Sequence, residues 1–209
     1  MEISIVTLFF CLLGPLLMMC VAFRGQGRIN MIFLLVGMII CIICGQLNQL
    51  SIKYVDASAF LNSVTLGPVV EELLKALAVL YAVFVLKLQR QGALECAVAV
   101  GVGFALLEST YFMVNYPAEV TFARVLIRGF CTGLMHGVCT LSVAYTLVLA
   151  RVRGNRYVAS VVGALVAAIL FHAAFNWLVQ SDFFVVAYVL PLLTLIPFLI
   201  VMNGKPKKA

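Results

Sequence analysis

The stretch Leu66-Gly-Pro-Val-Val-Glu-Glu-Leu-Leu-Lys-Ala-Leu-Ala-Val-Leu-Tyr-Ala-Val-Phe-Val-Leu86 decides the fold, because it is long and apolar enough to cross a bilayer yet carries Glu71, Glu72 and Lys75. A charged side chain near the bilayer centre costs about 2.5–3.5 kcal/mol on insertion scales. Such groups must therefore be neutralised, solvated in a cavity, or used. On a helix, Lys75 follows Glu71 by four residues and Glu72 by three, within reach of either carboxylate. We take Glu71 as the partner of Lys75, which leaves Glu72 without one in its own helix.

The chain around this stretch is that of an integral membrane protein. Of its 209 residues 65% are hydrophobic and only 11% charged, against about 25% charged in a soluble domain. Apolar runs of about 20 residues recur, which predicts helices rather than the short alternating strands of a barrel. The expected architecture is all-α and polytopic, with seven spans near 3–23, 29–50, 66–86, 94–114, 128–150, 157–179 and 183–203. Residues 1–209 then form one membrane domain, with two scaffold helices in 1–50, a four-helix catalytic core in 66–180 and a closing helix in 183–203.

A net charge of +6 would suit a nucleic-acid partner, but its placement marks topology instead. Ten of the 14 Lys and Arg occupy every second connection: Arg24 and Arg28, Lys87 and Arg90, Arg151, Arg153 and Arg156, then Lys205, Lys207 and Lys208. The positive-inside rule puts the N-terminus outside and the C-terminus in the cytoplasm of a multi-pass cell-membrane protein. No nucleic acid is expected as a partner, and no residue pattern sets an oligomeric state. Glu2, the absence of a small-residue cleavage site and the cationic Arg24 and Arg28 make the first run a retained span rather than a signal peptide. All seven cysteines fall in spans, so Cys41 and Cys44 are read as packing hydrophobes.

Five ionisable residues of the core spans reach a common level. Spans three and five enter from outside with Glu71, Glu72 and His136 early, whereas spans four and six leave with Glu108 and His172 late. Each lies about 6–14 Å below the outer surface at about 1.5 Å per residue. Asn176 shares a face with His172 one turn away, and Gly129, Gly133 and Gly137 form a small-residue ridge suited to close helix approach. Arg128 sits at the outer end of span five, placed either to snorkel to lipid phosphate or to reach Glu108. Any one of these residues alone is most simply structural; together they form a hydrolytic set. Glu72 is the expected base, the histidines the oxyanion donors, and Asn176 an orienting group. No cofactor is needed for that chemistry. Zinc on His136, His172 and either Glu72 or Glu108 is the permitted alternative, although no HExxH occurs.

Pro68-Val-Val-Glu71-Glu72-Leu-Leu-Lys75, Gly103-Phe104-Ala105-Leu-Leu-Glu108, Met135-His136 and His172-Ala-Ala-Phe-Asn176 resemble the PrsW family of glutamic-type intramembrane proteases, which is distantly related to CAAX-processing and bacteriocin-processing proteases. The resemblance covers about residues 66–180. It implies that Glu71 and Glu72 match the paired acidic motif, Glu108 the second acidic position, and His136 and His172 the two histidines. It also implies cleavage of membrane-anchored anti-sigma factors. Ser109 stands where the family often has Asn, and Asn176-Trp177 reverses its common Trp-Asn order. The expected function is thus hydrolysis of a single-span protein near the outer leaflet, the substrate entering between spans four and six. A proton-coupled transporter would also bury Glu, Lys and His, but usually shows internal repeats and broken helices. A non-catalytic scaffold of the same fold has no need of all five ionisable groups.

Overall fold

The computed structural model describes residues 5, 9, 12, 16, 19, 23–55, 58–117, 121–122, 127–154, 157–183 and 185–203. The described chain is all-helical, with α1 (Gly25–Val55), α2 (Ala59–Val64), α3 (Leu66–Leu80), α4 (Arg90–Asn115), α5 (Thr132–Arg153), α6 (Val158–Val179), α7 (Val186–Leu193) and α8 (Leu195–Asn203). Four described helical stretches, 25–54, 90–115, 129–153 and 158–179, are long and apolar enough to cross a membrane. The expected first span, 3–23, lies largely outside the described residues. Of it, Ile5, Phe9, Leu12 and Leu16 are helical and pack against the core shared by α1 and α4.

Hydropathy places the end of span two at residue 50, but α1 continues to Val55. Ser51-Ile-Lys-Tyr-Val55 contains no Gly or Pro to stop a helix. The 31 residues of α1 extend about 46 Å at 1.5 Å per residue. Ser58 then caps α2, its Oγ accepting from the Leu61 amide at 3.1 Å.

The expected closing span is broken rather than continuous. Helices α7 and α8 separate at Thr194, three residues before Pro197 and three after Pro191. Pro197 has no N–H to bond the Leu193 carbonyl and its ring crowds it. The chain instead tightens locally, with the Thr194 amide bonding the Pro191 carbonyl at 3.0 Å.

Backbone proximity sets the order of the long helices. A Cβ on Gly37 would fall on the Val100 carbonyl and one on Gly103 on that of Leu34, so α1 and α4 touch backbone to backbone. A Cβ on Gly101 would stand 2.5 Å from the His136 carbonyl, so α4 meets α5 in the same way. Gly137 Cα would stand 2.9 Å from that same Cβ, so this one member of the expected ridge lies in the close α4–α5 contact. Among the described residues nothing lies within 4 Å of a Cβ built at Gly129, Gly133 or Gly137 itself, so the contact closes over the glycine of α4.

Helix α5 packs in turn on α6, and α3 lies against α1, α4, α5 and α6. The charged helix thus touches all four long helices and leaves Leu73, Leu77 and Leu80 on an exposed face. Beyond Leu80 it ends in a π-type turn, Tyr81–Val85, with the Leu86 amide bonding the Tyr81 carbonyl at 3.0 Å. Arg151 of α5 satisfies the Val83 carbonyl of that turn at 2.6 Å, and Arg90 bonds the Val201 carbonyl of α8 at 3.0 Å. The opposite end is tied by Asn176 and Gln180 of α6, which bond the Ser63 carbonyl and hydroxyl of α2 at 2.9 Å each.

Candidate functional site

Helices α3, α4, α5 and α6 bring the ionisable side chains together. Lys75, fully buried, donates to Glu72 Oε1 at 2.6 Å and to His136 Nδ1 at 2.8 Å, and stands 4.7 Å over the Phe104 ring. The partner of Lys75 is therefore Glu72, not Glu71 as the sequence suggests. Both spacings permit contact on an isolated helix; the turn of α3 that faces α5 and α6 selects the i,i+3 pair.

Hydrogen bonding fixes the imidazole tautomers. A lysine ammonium has only donors, so neutral His136 accepts at Nδ1 and carries its hydrogen on Nε2, aimed at Glu108 Oε2 3.1 Å away. His172 donates from Nδ1 to Glu72 Oε1 at 2.8 Å, which leaves a lone pair on Nε2 in its neutral form. The two imidazoles meet edge to face with centroids 4.7 Å apart. Glu72 thus orients His172 while Lys75 neutralises Glu72 and sets the tautomer of His136.

Among the described residues three buried polar side-chain atoms have no hydrogen-bond partner: Glu71 Oε2, His172 Nε2 and Asn62 Oδ1. The first two lie 3.7 Å apart. Two acceptors at that distance in a dry site repel unless a proton or a cation lies between them. Glu71, His136 and His172 each offer one ligand atom, all within 4.8 Å of one another, so this trio can hold a metal ion. Because both His136 nitrogens already have partners, that residue joins such a set only by releasing one of them.

A cavity of about 560 Å³ opens beside this cluster, with Glu71 and Glu108 on its wall. Its other residues are Ile5, six from α1 (Cys41, Cys44, Gly45, Gln46, Asn48, Gln49), and those of α4 and its C-cap, so α1 forms part of the wall. Cys41 and Cys44 are buried and free. The cavity lies between the expected second and fourth spans, not between the fourth and sixth, which are separated by α5 packed on both. Glu72 and Lys75 are closed off behind it. Asn176 is engaged with Ser63 rather than with His172, and the side chain of Arg128 lies outside the described residues.

The carboxamides of α1 were legible only as polar residues at a span end. Their place on the cavity wall depends on which face α1 turns to α4, which hydropathy does not encode. A family model described as PrsW family intramembrane metalloprotease matches residues 25–202. Neither a search of curated proteins nor one of solved structures returned a match.

Proposed function

This chain belongs to the PrsW family of intramembrane proteases, and we propose that it hydrolyses a peptide bond of a membrane-anchored protein in the cavity bordered by Glu71 and Glu108. The observation that carries this reading is the pair of unpartnered acceptors, Glu71 Oε2 and His172 Nε2, 3.7 Å apart at the edge of that cavity. Glu72 is the base expected from sequence, but its Oε1 is held by Lys75 and His172 and it does not line the cavity. We assign it to positioning.

Glu71 Oε2 then takes a proton from water as the water oxygen bonds the scissile carbonyl carbon. His136 Nε2–H donates to the developing oxyanion by turning from Glu108 Oε2, and a protonated carboxyl, Glu71 or Glu108, returns a proton to the leaving amine as the C–N bond breaks. The residues also fit zinc, on Glu71, His172 and His136; bound there, it would polarise the carbonyl and acidify its water, and the role of base would pass to Glu108.

The inner placement of Lys87, Arg90, Arg151 and Arg153 supports an outward-facing cavity, because Arg90 and Arg151 gather at the end of the bundle opposite Ser63, Asn176 and Gln180. A single-span protein such as an anti-sigma factor is the substrate class we favour. Zinc content and chelator response of the purified protein test the catalytic type. About one equivalent of zinc, lost in His172→Ala together with cleavage, supports the metal-dependent form. Cleavage by zinc-free protein, unaffected by chelator, supports the glutamic form.

A further inference from the structure

Gln46, Asn48 and Gln49, on the last turns of α1, line the same cavity as Glu71 and Glu108. Among the described residues their side-chain amides bond to nothing, whereas Gln26, Asn30, Gln91, Asn115, Asn176 and Gln180 each have a partner. Asn48 Nδ2 and Glu71 Oε1 both lie 3.7 Å from the point where a Cβ on Gly67 would stand, so Asn48 and the carboxylate border the same space over that glycine. The same wall includes the small residues Cys41, Cys44 and Gly45 of α1, and the facing wall from α4 is aromatic, with Phe104, Tyr111 and Phe112.

Resting on the protease reading, we propose that these three carboxamides bind the unwound backbone of the substrate. A transmembrane segment keeps its peptide groups paired within its helix, and a helical peptide bond is shielded from attack. Unwinding it frees N–H and C=O groups, each of which costs several kcal/mol if left unpaired at the depth of the hydrocarbon core. A carboxamide presents a donor and an acceptor together, the same pair that a peptide group offers. The rim therefore supplies, next to the catalytic carboxylates, the partners that the opened helix loses. The cavity of about 560 Å³ leaves room for a short extended segment beside the amides. The occupant is a peptide backbone, and the side chains of the substrate are read elsewhere.

The probe is a fluorescent Lys-flanked Leu/Ala peptide of about 24 residues, enough to span a bilayer, with Gly-Gly-Ser at its outward end. A second peptide carries backbone esters in place of the amides across Gly-Gly-Ser. Binding and cleavage are both measured in nanodiscs, for the parent, for Gln46→Leu, Asn48→Leu and Gln49→Leu, and for the triple variant. We expect the ester peptide to bind the parent about tenfold more weakly per N–H removed, the size of one hydrogen bond. The triple variant should bind both peptides equally, so that the losses from esters and substitutions do not add. Esters and substitutions that lose affinity independently, or that leave it unchanged, overturn the proposal even if the parent cleaves; the rim would then serve lipid headgroups or structure. Coupled losses in binding without any cleavage support the binding edge and overturn the protease reading. A parent that neither binds nor cleaves the amide peptide overturns both.

Discussion

His172 Nε2 faces Glu71 Oε2 across 3.7 Å, and neither atom has a hydrogen-bond partner among the described residues. Helices α6 and α3 hold them there from behind, since Glu72 fixes the far side of the same imidazole at 2.8 Å. A buried unsatisfied polar group costs about 1–3 kcal/mol. A fold that keeps two of them together holds a site for something that enters.

Glu71→Gln replaces the carboxylate on the cavity wall with an amide that cannot take a proton from water. Cleavage should fall at least about 100-fold, the lower end for a general base, while thermal unfolding in detergent shifts little, because Glu71 makes no short hydrogen bond to lose. Unchanged cleavage would remove Glu71 from the reaction.

Lys75→Met leaves Glu72 buried without its cation. Breaking one side of a buried pair costs about 3–5 kcal/mol. The unfolding temperature should therefore drop sharply. The double variant Lys75→Met with Glu72→Gln should recover much of that stability but not activity, because the tautomer control of His136 and the anionic anchor of His172 are both gone.

Gly101→Ala places a methyl 2.5 Å from the His136 carbonyl, where backbone must move. Overpacking of this kind costs about 1–3 kcal/mol, and here the shift also moves a site histidine. Gly133→Ala meets nothing within 4 Å among the described residues and serves as the control. Activity and unfolding temperature should fall for the first and hold for the second.

The common depth of Glu71, Glu72, Glu108, His136 and His172 could be read from sequence because position along a helix converts directly to height. Rotation about the helix axis could not. Which carboxylate meets Lys75, whether the Gly129–Gly133–Gly137 ridge is used, and which face of α1 lines the cavity all depend on how neighbours turn one another. The continuation of α1 to Val55 was missed because hydropathy reports where lipid ends, not where a helix does. The break at Thr194 was signalled by Pro191 and Pro197 but read as part of a span.

Topology is tested by single cysteines at Arg153 and Asp182 in a chain otherwise free of cysteine. A membrane-impermeant maleimide applied to sealed, right-side-out vesicles should label Asp182→Cys and spare Arg153→Cys. The reverse pattern would place the cavity on the cytoplasmic side.

The most direct measurement uses proteoliposomes containing single-span substrate proteins and either the parent or His172→Gln, with product identified by mass spectrometry. The account predicts a cut near the outer end of the span by the parent, and none by a folded variant. Equal product from both, or proton-driven solute uptake by the parent without any cut, would contradict it.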